Sequence, residues 1–552
     1  MEATGQASSE LPGALELRGR PAPWGAASAC ALILFFAVGL WLRLHALSAE
    51  GFADDEMHKW LAANRYLAGD FSGDDVEHPM LMKSLIALTL LIGGRFGWAP
   101  ETIARIPNAL IGGLSILLVA YLGRRLFGRT AGLLAAGLAG VSTTFIGYQR
   151  VAKEDTLLGF FLMLLCLCLA EAKAAADSGS DARARRYELA GAAALAGMLA
   201  SKYFLFLTPI PVVFVLWVRG SETRFRIPLR RWLQLTALAF AIWLCLNWTP
   251  LLPSTWAYLA SYVRGKQTIH GSLFFMGSLY HNLWEYGVHG TPAWFYVVFS
   301  AVKLTPITAA LALVGLVLAL VQRRPAHKVL LSWMGVWFLV HSLLGSKWGR
   351  FFVSVMPAFF LLAGYASAVL IQRARARRPS VLVTAASVAM CFLLIGSELW
   401  ASIDHAPHYR TYISPLGGGD AKVTWYFPHC DYFDAGFREA VQEVAARAEP
   451  GAELSTEIDW PARFYAERLG RTDLIHSLVR PDRACRADRI CYVIVQVGRY
   501  YFLNQEAVRN LALRDPWYVA RIRGVEVAKV YRLAPGESPF QIAGMIDRKL
   551  AR

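Results

Sequence analysis

Long apolar blocks alternate with short arginine-rich connections over about the first 400 residues of the chain. Most blocks carry almost no charge over roughly 17 to 25 residues, the length of helix that crosses a hydrocarbon core. We therefore predict a polytopic α-helical membrane protein with about eleven transmembrane helices. The predicted helices lie near residues 26–47, 104–123, 131–149, 156–171, 188–206, 207–218, 232–252, 293–321, 329–345, 350–372 and 380–399.

The positions of the arginines decide whether the ambiguous block Met80–Gly94 crosses the membrane. This block is short for a membrane span, and it could instead lie along the interface. If it does not cross, all the arginine-rich connections fall on one side, which the positive-inside rule makes cytoplasmic. Residues 1–25 then form a cytoplasmic tail without a signal-peptide cleavage pattern, and residues 48–102 and 253–291 form long outer loops.

The C-terminal part of the chain differs in composition from the membrane part. Residues 26–400 contain the apolar blocks, whereas residues 401–552 resemble a small soluble α/β domain. Residues 434–447 have helical periodicity, and residues 490–496 and 525–533 are typical of strands. The topology predicts that this domain is extracytoplasmic, which would be periplasmic if the chain lies in a bacterial inner membrane.

Composition excludes some classes of protein. The chain is 56% hydrophobic and 17% charged, with a net charge of +16. The basic residues lie between apolar blocks, which indicates membrane topology and not a nucleic-acid groove. Most of the eight cysteines fall inside apolar blocks, but Cys485 and Cys491 lie near each other in the polar tail. If that tail is outside the cytoplasm, we expect them to form a small-loop disulfide.

Three adjacent acids follow the first predicted span: Asp54, Asp55 and Glu56. They could supply a carboxylate base, with a neighbour that orients substrate or holds a metal. They could equally begin a helix at residues 55–68, with Asp54 or Asp55 as its cap and Glu56 at the favourable end of its dipole. A second acid, Asp155, lies in the short turn after the third span, on the same predicted face of the membrane.

The positive-inside rule favours basic residues on the cytoplasmic side, so the basic residues predicted on the outer side need another explanation. They could bind the phosphate of an anionic lipid, or they could pair with the acidic first outer loop. The outer-face residues in question are His78, Lys83, Lys202, Arg264, Lys266, His270, Lys347 and Arg350.

Taken together, these motifs resemble the protein O-mannosyltransferases and the related enzymes that transfer aminoarabinose to lipid A, all of the GT-C fold. The likeness rests on the order of short motifs over roughly residues 30–400. They are the acid pair after the first span, His78-Pro79-Met80-Leu81-Met82-Lys83, Arg105-Ile106-Pro107-Asn108, the turn Arg150…Asp155, Ser201-Lys202-Tyr203, His270-Gly271, Lys303-Leu304-Thr305-Pro306, and Ser346-Lys347…Arg350.

The resemblance implies an inverting transfer of a sugar from a polyprenyl-phosphate carrier to an acceptor hydroxyl. It makes Asp55, beside Glu56, the catalytic acid pair and Asp155 the second acid. The lipid phosphate and sugar would be bound by His78, Lys83, Arg150, Lys202, His270, Lys347 and Arg350. A divalent cation between Asp55 and Asp155 stays open. The acceptor could be a protein, a lipid or a glycan, and the sugar is not specified.

Two other classes of protein remain as alternatives. A flippase or transporter of lipid-linked sugars would carry acids and helix breaks near the membrane midplane. A non-catalytic scaffold would use the C-terminal domain as its binding module. Most charges of this chain lie instead at span ends and in outer loops, which favours the transferase.

Overall fold

The computed structural model describes residues 23–72, 76–219, 223–263 and 271–541. His270, which the resemblance assigns to substrate binding, lies outside these residues, as do Arg264 and Lys266. The predicted fold class is confirmed, because a helical membrane part precedes a small α/β part.

The membrane part consists of helices and one β-hairpin. Its helices are α1 (Ala26–Leu44), α2 (Asp54–Leu67), α3 (Met80–Gly93), α4 (Pro100–Phe127), α5 (Arg129–Val141), α6 (Thr143–Gln149), α7 (Asp155–Asp177), α8 (Asp181–Ser201), α9 (Pro209–Trp217), α10 (Leu229–Leu246), α11 (Pro253–Val263), α12 (Phe295–Lys303), α13 (Pro306–Gln322), α14 (Pro325–Leu343), α15 (Met356–Arg377) and α16 (Val381–His405). The hairpin pairs β1 (Ser272–Phe275) with β2 (Ser278–His281).

Six helices in the described residues are long and apolar enough to cross a membrane, or up to eight if each of two bent pairs is one span. Most predicted spans fall on one helix each, but some of these helices are short, such as α9, or carry several charges, such as α8. The predicted span 131–149 is wrong as a single helix, because α5 and α6 meet at a bend of 60°. The predicted span 293–321 is wrong as a single helix, because the chain is extended at Leu304 and Thr305. Pro306 explains the break, since proline disfavours helical backbone in the residue before it.

The α/β domain contains the remaining elements. They are α17 (Val423–Tyr426), α18 (Pro428–Tyr432), α19 (Phe437–Arg447), β3 (Glu453–Thr456), α20 (Asp459–Arg468), β4 (Ile475–Leu478), β5 (Cys491–Gln496), α21 (Gln505–Leu511), β6 (Tyr518–Ile522) and β7 (Val525–Leu533). The strands form one sheet in the order β4-β3-β5-β7-β6, with β3 parallel to β4 and β5 and the other pairs antiparallel. The helix and the two strands predicted from the pattern are confirmed.

The boundary of this domain is less abrupt than the sequence suggests. The last membrane helix, α16, continues through residue 401 to His405. The turn between β6 and β7 then contacts the end of this helix, where Arg523 pairs with Asp404 at 2.8 Å and with Asp420 at 2.9 Å. A disulfide joins Cys485 to Cys491, which begins β5. The α/β domain is therefore held against the helical part and is not a loosely tethered module.

The segment between α1 and α2 packs directly against the α/β domain. Arg438 donates to the carbonyls of Ser48 at 2.8 Å and Ala49 at 3.0 Å. At Gly51 an added Cβ would lie 2.6 Å from the Cβ of Arg438 and 3.1 Å from the Tyr465 hydroxyl. Only glycine permits so close an approach of the two segments. This contact fixes the chain that leads into the first acids.

Candidate active site

Helix α2 begins at Asp54, one residue earlier than the sequence pattern predicts. Neither Asp54 nor Asp55 caps it. Instead the Glu56 carboxylate accepts a hydrogen bond from the Ala53 N–H at 3.0 Å, the reciprocal half of a capping box. Asp54 and Asp55 therefore lie in the first helical turn with their carboxylates available for other contacts.

Glu56 belongs to the scaffold, which corrects its predicted catalytic role. It is 1% exposed, and its carboxylate receives two hydrogen bonds from Arg105 at 2.8 and 2.6 Å. It also accepts from the Ala152 N–H at 2.8 Å. Because both carboxylate oxygens are committed to buried donors, this side chain joins α2, α4 and the turn before α7 and is unsuited to proton transfer.

Asp55 is the accessible acid of the cluster, with 37% of its side chain exposed. Its Oδ2 lies 3.0 Å from Lys153 Nζ and 3.4 Å from Arg350 Nη2. Burial alone would raise the pKa of this carboxyl, but Lys153, Arg350 and Lys59 together hold the pKa well below its usual range. Asp55 is consequently an ionised, partly exposed carboxylate.

Asp155 approaches Asp55 from the start of α7. Its Oδ1 accepts from Lys202 Nζ at 2.7 Å, and its Oδ2 lies 3.7 Å from Arg350 Nε. Both acids therefore contact the same guanidinium. In the described part of the chain, Asp155 Oδ2 and Arg350 Nε are buried without a hydrogen-bond partner. A buried acceptor and a buried donor of this kind are suited to ligand atoms.

A second layer of charge lies behind these two acids. Glu154 is fully buried, with Lys59 at 3.0 Å, Lys153 at 3.5 Å and His78 at 3.6 Å. Burial lowers the pKa of His78 well below its usual value, and the lysines around it act in the same direction. His78 therefore lies beside Glu154 and Lys153 as a neutral side chain.

Three of the predicted phosphate-binding cations have other partners, so these predictions are corrected. Lys83 is 1% exposed and donates to the His78 carbonyl at 3.0 Å. Arg150 donates to carbonyls at the end of α1, among them that of Leu42 at 2.9 Å, and stacks on Tyr409. Lys347 donates to the Thr291 carbonyl at 2.8 Å and to that of Leu344. All three side chains donate hydrogen bonds to buried backbone carbonyls. The sequence does not show which carbonyls lack a backbone partner, so these contacts could not be predicted.

The α/β domain reaches the site through Asp434. This buried carboxylate accepts from the Asp54 N–H at 2.8 Å and makes two hydrogen bonds with Arg499, each 2.7 Å long. Arg499 also lies 3.8 Å from Asp54 Oδ2. In addition, the Tyr465 hydroxyl accepts from the Phe52 N–H at 2.6 Å. The backbone that carries Asp55 is thus held by acceptors of the α/β domain.

The donor set around Asp55 and Asp155 does not fit a divalent metal. Each carboxylate already faces ammonium or guanidinium groups at 2.7 to 3.7 Å, and Arg350 occupies the space between them. A metal would have to displace these cations and lie beside their charges. Among the described residues, the one group of three clustered ligands is Glu453 with Cys485 and Cys491, whose sulfurs form the disulfide.

Several residues of the site were not singled out from the sequence. Lys59 is one helical turn from Asp55, a spacing that places both on one face of α2. Lys153 and Glu154 immediately precede Asp155, so their place in the same turn as a candidate acid could have identified them as site residues. Asp434 and Arg499 carry no such sign, because Asp434 is 380 residues from the Asp54 amide that it binds.

Comparison with known proteins gives one match to a protein family. Residues 77–250 match the family model described as dolichyl-phosphate-mannose-protein mannosyltransferase. Comparison with curated protein sequences finds no match.

Solved structures of similar fold cover most of the chain. ArnT from Cupriavidus metallidurans in the apo state aligns with a TM-score of 0.52 and 17% identity, over 92% of this chain and 98% of that one. The same protein bound to undecaprenyl phosphate gives 0.50 and 16%, over the same shares. The oligosaccharyltransferase AglB from Archaeoglobus fulgidus gives 0.50 and 12%, over 82% of this chain and 64% of that one.

The fold and the family match define the class of protein. The chain is a multi-pass membrane protein with the fold of the GT-C glycosyltransferases. Its identity to the solved structures is low, so the sugar and the acceptor do not follow from the likeness.

Proposed function

We propose that the chain is a membrane glycosyltransferase that takes a sugar from a polyprenyl-phosphate carrier and transfers it to an acceptor hydroxyl, with inversion. Two similarities support this carrier. The matching family model is named for a dolichyl-phosphate sugar, and one structure of similar fold holds undecaprenyl phosphate. The positive-inside rule supports a position of the site and the α/β domain on the outer face, which would be the periplasmic face of a bacterial inner membrane.

The observation that carries the proposal is the shared contact of two acids with Arg350. Asp55 is the general base in this scheme, because it is the accessible acid of the pair, with 37% of its side chain exposed against 4% for Asp155. It accepts the proton of the acceptor hydroxyl while the hydroxyl oxygen bonds to the anomeric carbon. The bond from that carbon to the phosphate oxygen breaks, and its electron pair stays on the phosphate.

Lys202 and Arg350 bind the donor phosphate in this scheme. The phosphate gains a negative charge as it leaves, and preorganised cations stabilise that charge. The buried Nε of Arg350 supplies a donor that makes no hydrogen bond within the described residues, although Asp155 Oδ2 lies 3.7 Å from it. Because a phosphate on Arg350 would compete with Asp55 for this guanidinium, donor binding would also raise the pKa of Asp55 and make it a stronger base.

The positions of the charges favour this scheme over a transporter of lipid-linked sugars. Asp55 lies in the first turn of α2, Asp155 begins α7, and Lys202 directly follows α8. The site is thus built at helix ends. A transporter is expected to place such groups in broken helices at the midplane.

The test compares the glycolipids and glycoproteins of cells with and without the gene by mass spectrometry. We expect one class of glycan to disappear and a polyprenyl-phosphate sugar to accumulate. Complementation with the intact gene should restore the product, and the Asp55→Asn variant should not. If the donor accumulates in one leaflet while every glycoconjugate is unchanged, the chain is a transporter and the proposal is wrong.

A further inference from the structure

A basic cavity lies at the end of the helical bundle that is opposite to Asp55. It has a volume of about 420 Å³ and lies where the end of α7, the start of α8 and the start of α10 meet. Two acids, Asp181 and Glu188, also line it. The arginines around it are Arg185, Arg224, Arg226, Arg230 and Arg231.

Most of this positive charge is not neutralised by the protein. Arg231 pairs with Glu188 at 2.8 Å. The other four arginines are exposed, and none of them forms an ion pair with any residue in the described ranges. The cavity therefore gathers several exposed arginines around one open space, which favours an anion with several oxygen atoms.

An apolar groove continues from the cavity along the same helices. It has a volume of about 50 Å³ and shares Phe225 and Glu188 with the cavity. Leu165 and Leu169 of α7 line one wall, and Trp232 at the start of α10 lines the other. A basic cavity beside an apolar groove of this size matches a charged headgroup followed by the first few methylenes of an acyl chain.

The length of α7 gives the depth of the cavity in the membrane. Asp155 begins this helix, and Ala176 near its end lines the cavity. At 1.5 Å per residue, the 23 residues of α7 span about 34 Å. This distance is close to the thickness of a hydrocarbon core, roughly 30 Å. If α7 crosses the bilayer, the cavity and the Asp55 site would therefore lie at the headgroup levels of opposite leaflets.

We propose that this cavity binds the headgroup of an anionic phospholipid from the leaflet opposite to the Asp55 site, with an acyl chain in the adjoining groove. Charge, depth and the apolar extension all favour this occupant. A free phosphate would make no use of the groove, and the sugar donor of the proposed reaction would be needed at the other face. Arginine-rich pockets between helices on the cytoplasmic side are suited to such headgroups.

The test uses the purified full-length chain in a neutral detergent and counts retained lipid by native mass spectrometry. The probes are phosphatidylglycerol and, for comparison, phosphatidylcholine of the same acyl chains. We expect one phosphatidylglycerol to be retained in preference to phosphatidylcholine. Each arginine near an anionic headgroup contributes roughly fivefold to binding, so Arg226→Gln with Arg230→Gln should weaken retention about 25-fold.

The matched control removes the same charge from the same end of the bundle. Arg375 and Arg377 are exposed at the end of α15 and lie outside the cavity, so Arg375→Gln with Arg377→Gln should change retention less than twofold. A second cavity variant, Arg185→Gln with Arg226→Gln, should reproduce the loss. Thermal unfolding verifies that each variant is folded.

Three outcomes would overturn the proposal. Equal loss in the cavity variants and in the α15 control would show a general charge effect. Displacement of the lipid by millimolar inorganic phosphate would indicate a soluble anion. Preferential retention of undecaprenyl phosphate would mean that the occupant is a carrier lipid.

Discussion

Removal of the Asp434 side chain tests whether the α/β domain holds the catalytic segment. In the Asp434→Ala variant, the Asp54 N–H loses its acceptor and Arg499 loses its carboxylate. A hydrogen bond to a charged group contributes about 1.5–3 kcal/mol. Because each 1.4 kcal/mol is a factor of ten, amide exchange in residues 51–57 should accelerate by about 10- to 150-fold.

Hydrogen–deuterium exchange of the full-length chain in detergent measures this effect directly. Tyr465→Phe provides an independent and weaker perturbation, because it removes the neutral acceptor of the Phe52 N–H. A neutral hydrogen bond contributes about 0.5–1.5 kcal/mol, so the same amides should exchange only about 2- to 12-fold faster. The expected order is therefore Asp434→Ala above Tyr465→Phe.

The matched control is Asp473→Ala, which removes an acid that contacts Arg471 and Gly451 of the same domain. Exchange in residues 51–57 should not change in this variant. The reasoning would be refuted if Asp434→Ala exposed amides of the α/β domain while residues 51–57 kept their protection. In that case the α/β domain would lie beside the site without supporting it.

Three further results follow from the structure. Arg350→Lys keeps the positive charge but loses the planar guanidinium that contacts both acids, so the purified chain should bind the donor about tenfold more weakly. An unchanged affinity for the donor would mean that Arg350 does not bind the phosphate. Burial raises the pKa of Glu457 to about 7, although Asn504 and Arg499 oppose it. The folded state therefore loses stability as the pH rises from about 4.5 to 7, by up to about 3 kcal/mol, and Glu457→Gln should flatten the unfolding temperature over that range. Replacing Cys485 and Cys491 by serine opens a short loop and should cost about 2 kcal/mol in denaturant unfolding, whereas an unchanged midpoint would contradict this estimate.

The pattern of the sequence predicts the main architecture because membrane insertion imposes strong, local rules. Most predicted spans fall on one helix each, since the bilayer requires a long apolar segment with internal hydrogen bonds. The same rules do not report breaks such as the one before Pro306. A proline at the start of a helix and a proline within a span look alike in hydropathy.

The candidate site was only partly predictable for a physical reason. The predicted topology puts Asp55, Asp155, Lys202 and Arg350 at one face of the membrane, and in the fold these four side chains lie together. Topology alone cannot tell which of the charged residues at that face contact the acids and which bind other parts of the protein. Lys347, for example, has the same outer position as Arg350, yet the Thr291 carbonyl binds its ammonium group.

Contacts between distant segments were beyond the reach of the pattern altogether. Asp434 and Arg499 stabilise the start of α2 across hundreds of residues, and each is an ordinary charged residue in a soluble domain. Glu56 was predicted to be catalytic although its role is structural. Its place beside Asp55 suggested chemistry, but four buried hydrogen bonds make it part of the scaffold.

The most direct test of the central claim is the turnover of the Asp55→Asn variant. Purified full-length chain is given a polyprenyl-phosphate sugar and membrane extract as acceptor, and release of polyprenyl phosphate and binding of the donor are both measured. The control is Asp70→Asn, which changes an exposed acid paired with Arg65 beyond the end of α2. Asp55→Asn should bind the donor and turn it over about 10²–10⁴-fold more slowly, with Asp70→Asn unaffected. Near-normal turnover in a folded, donor-binding Asp55→Asn protein would contradict the account.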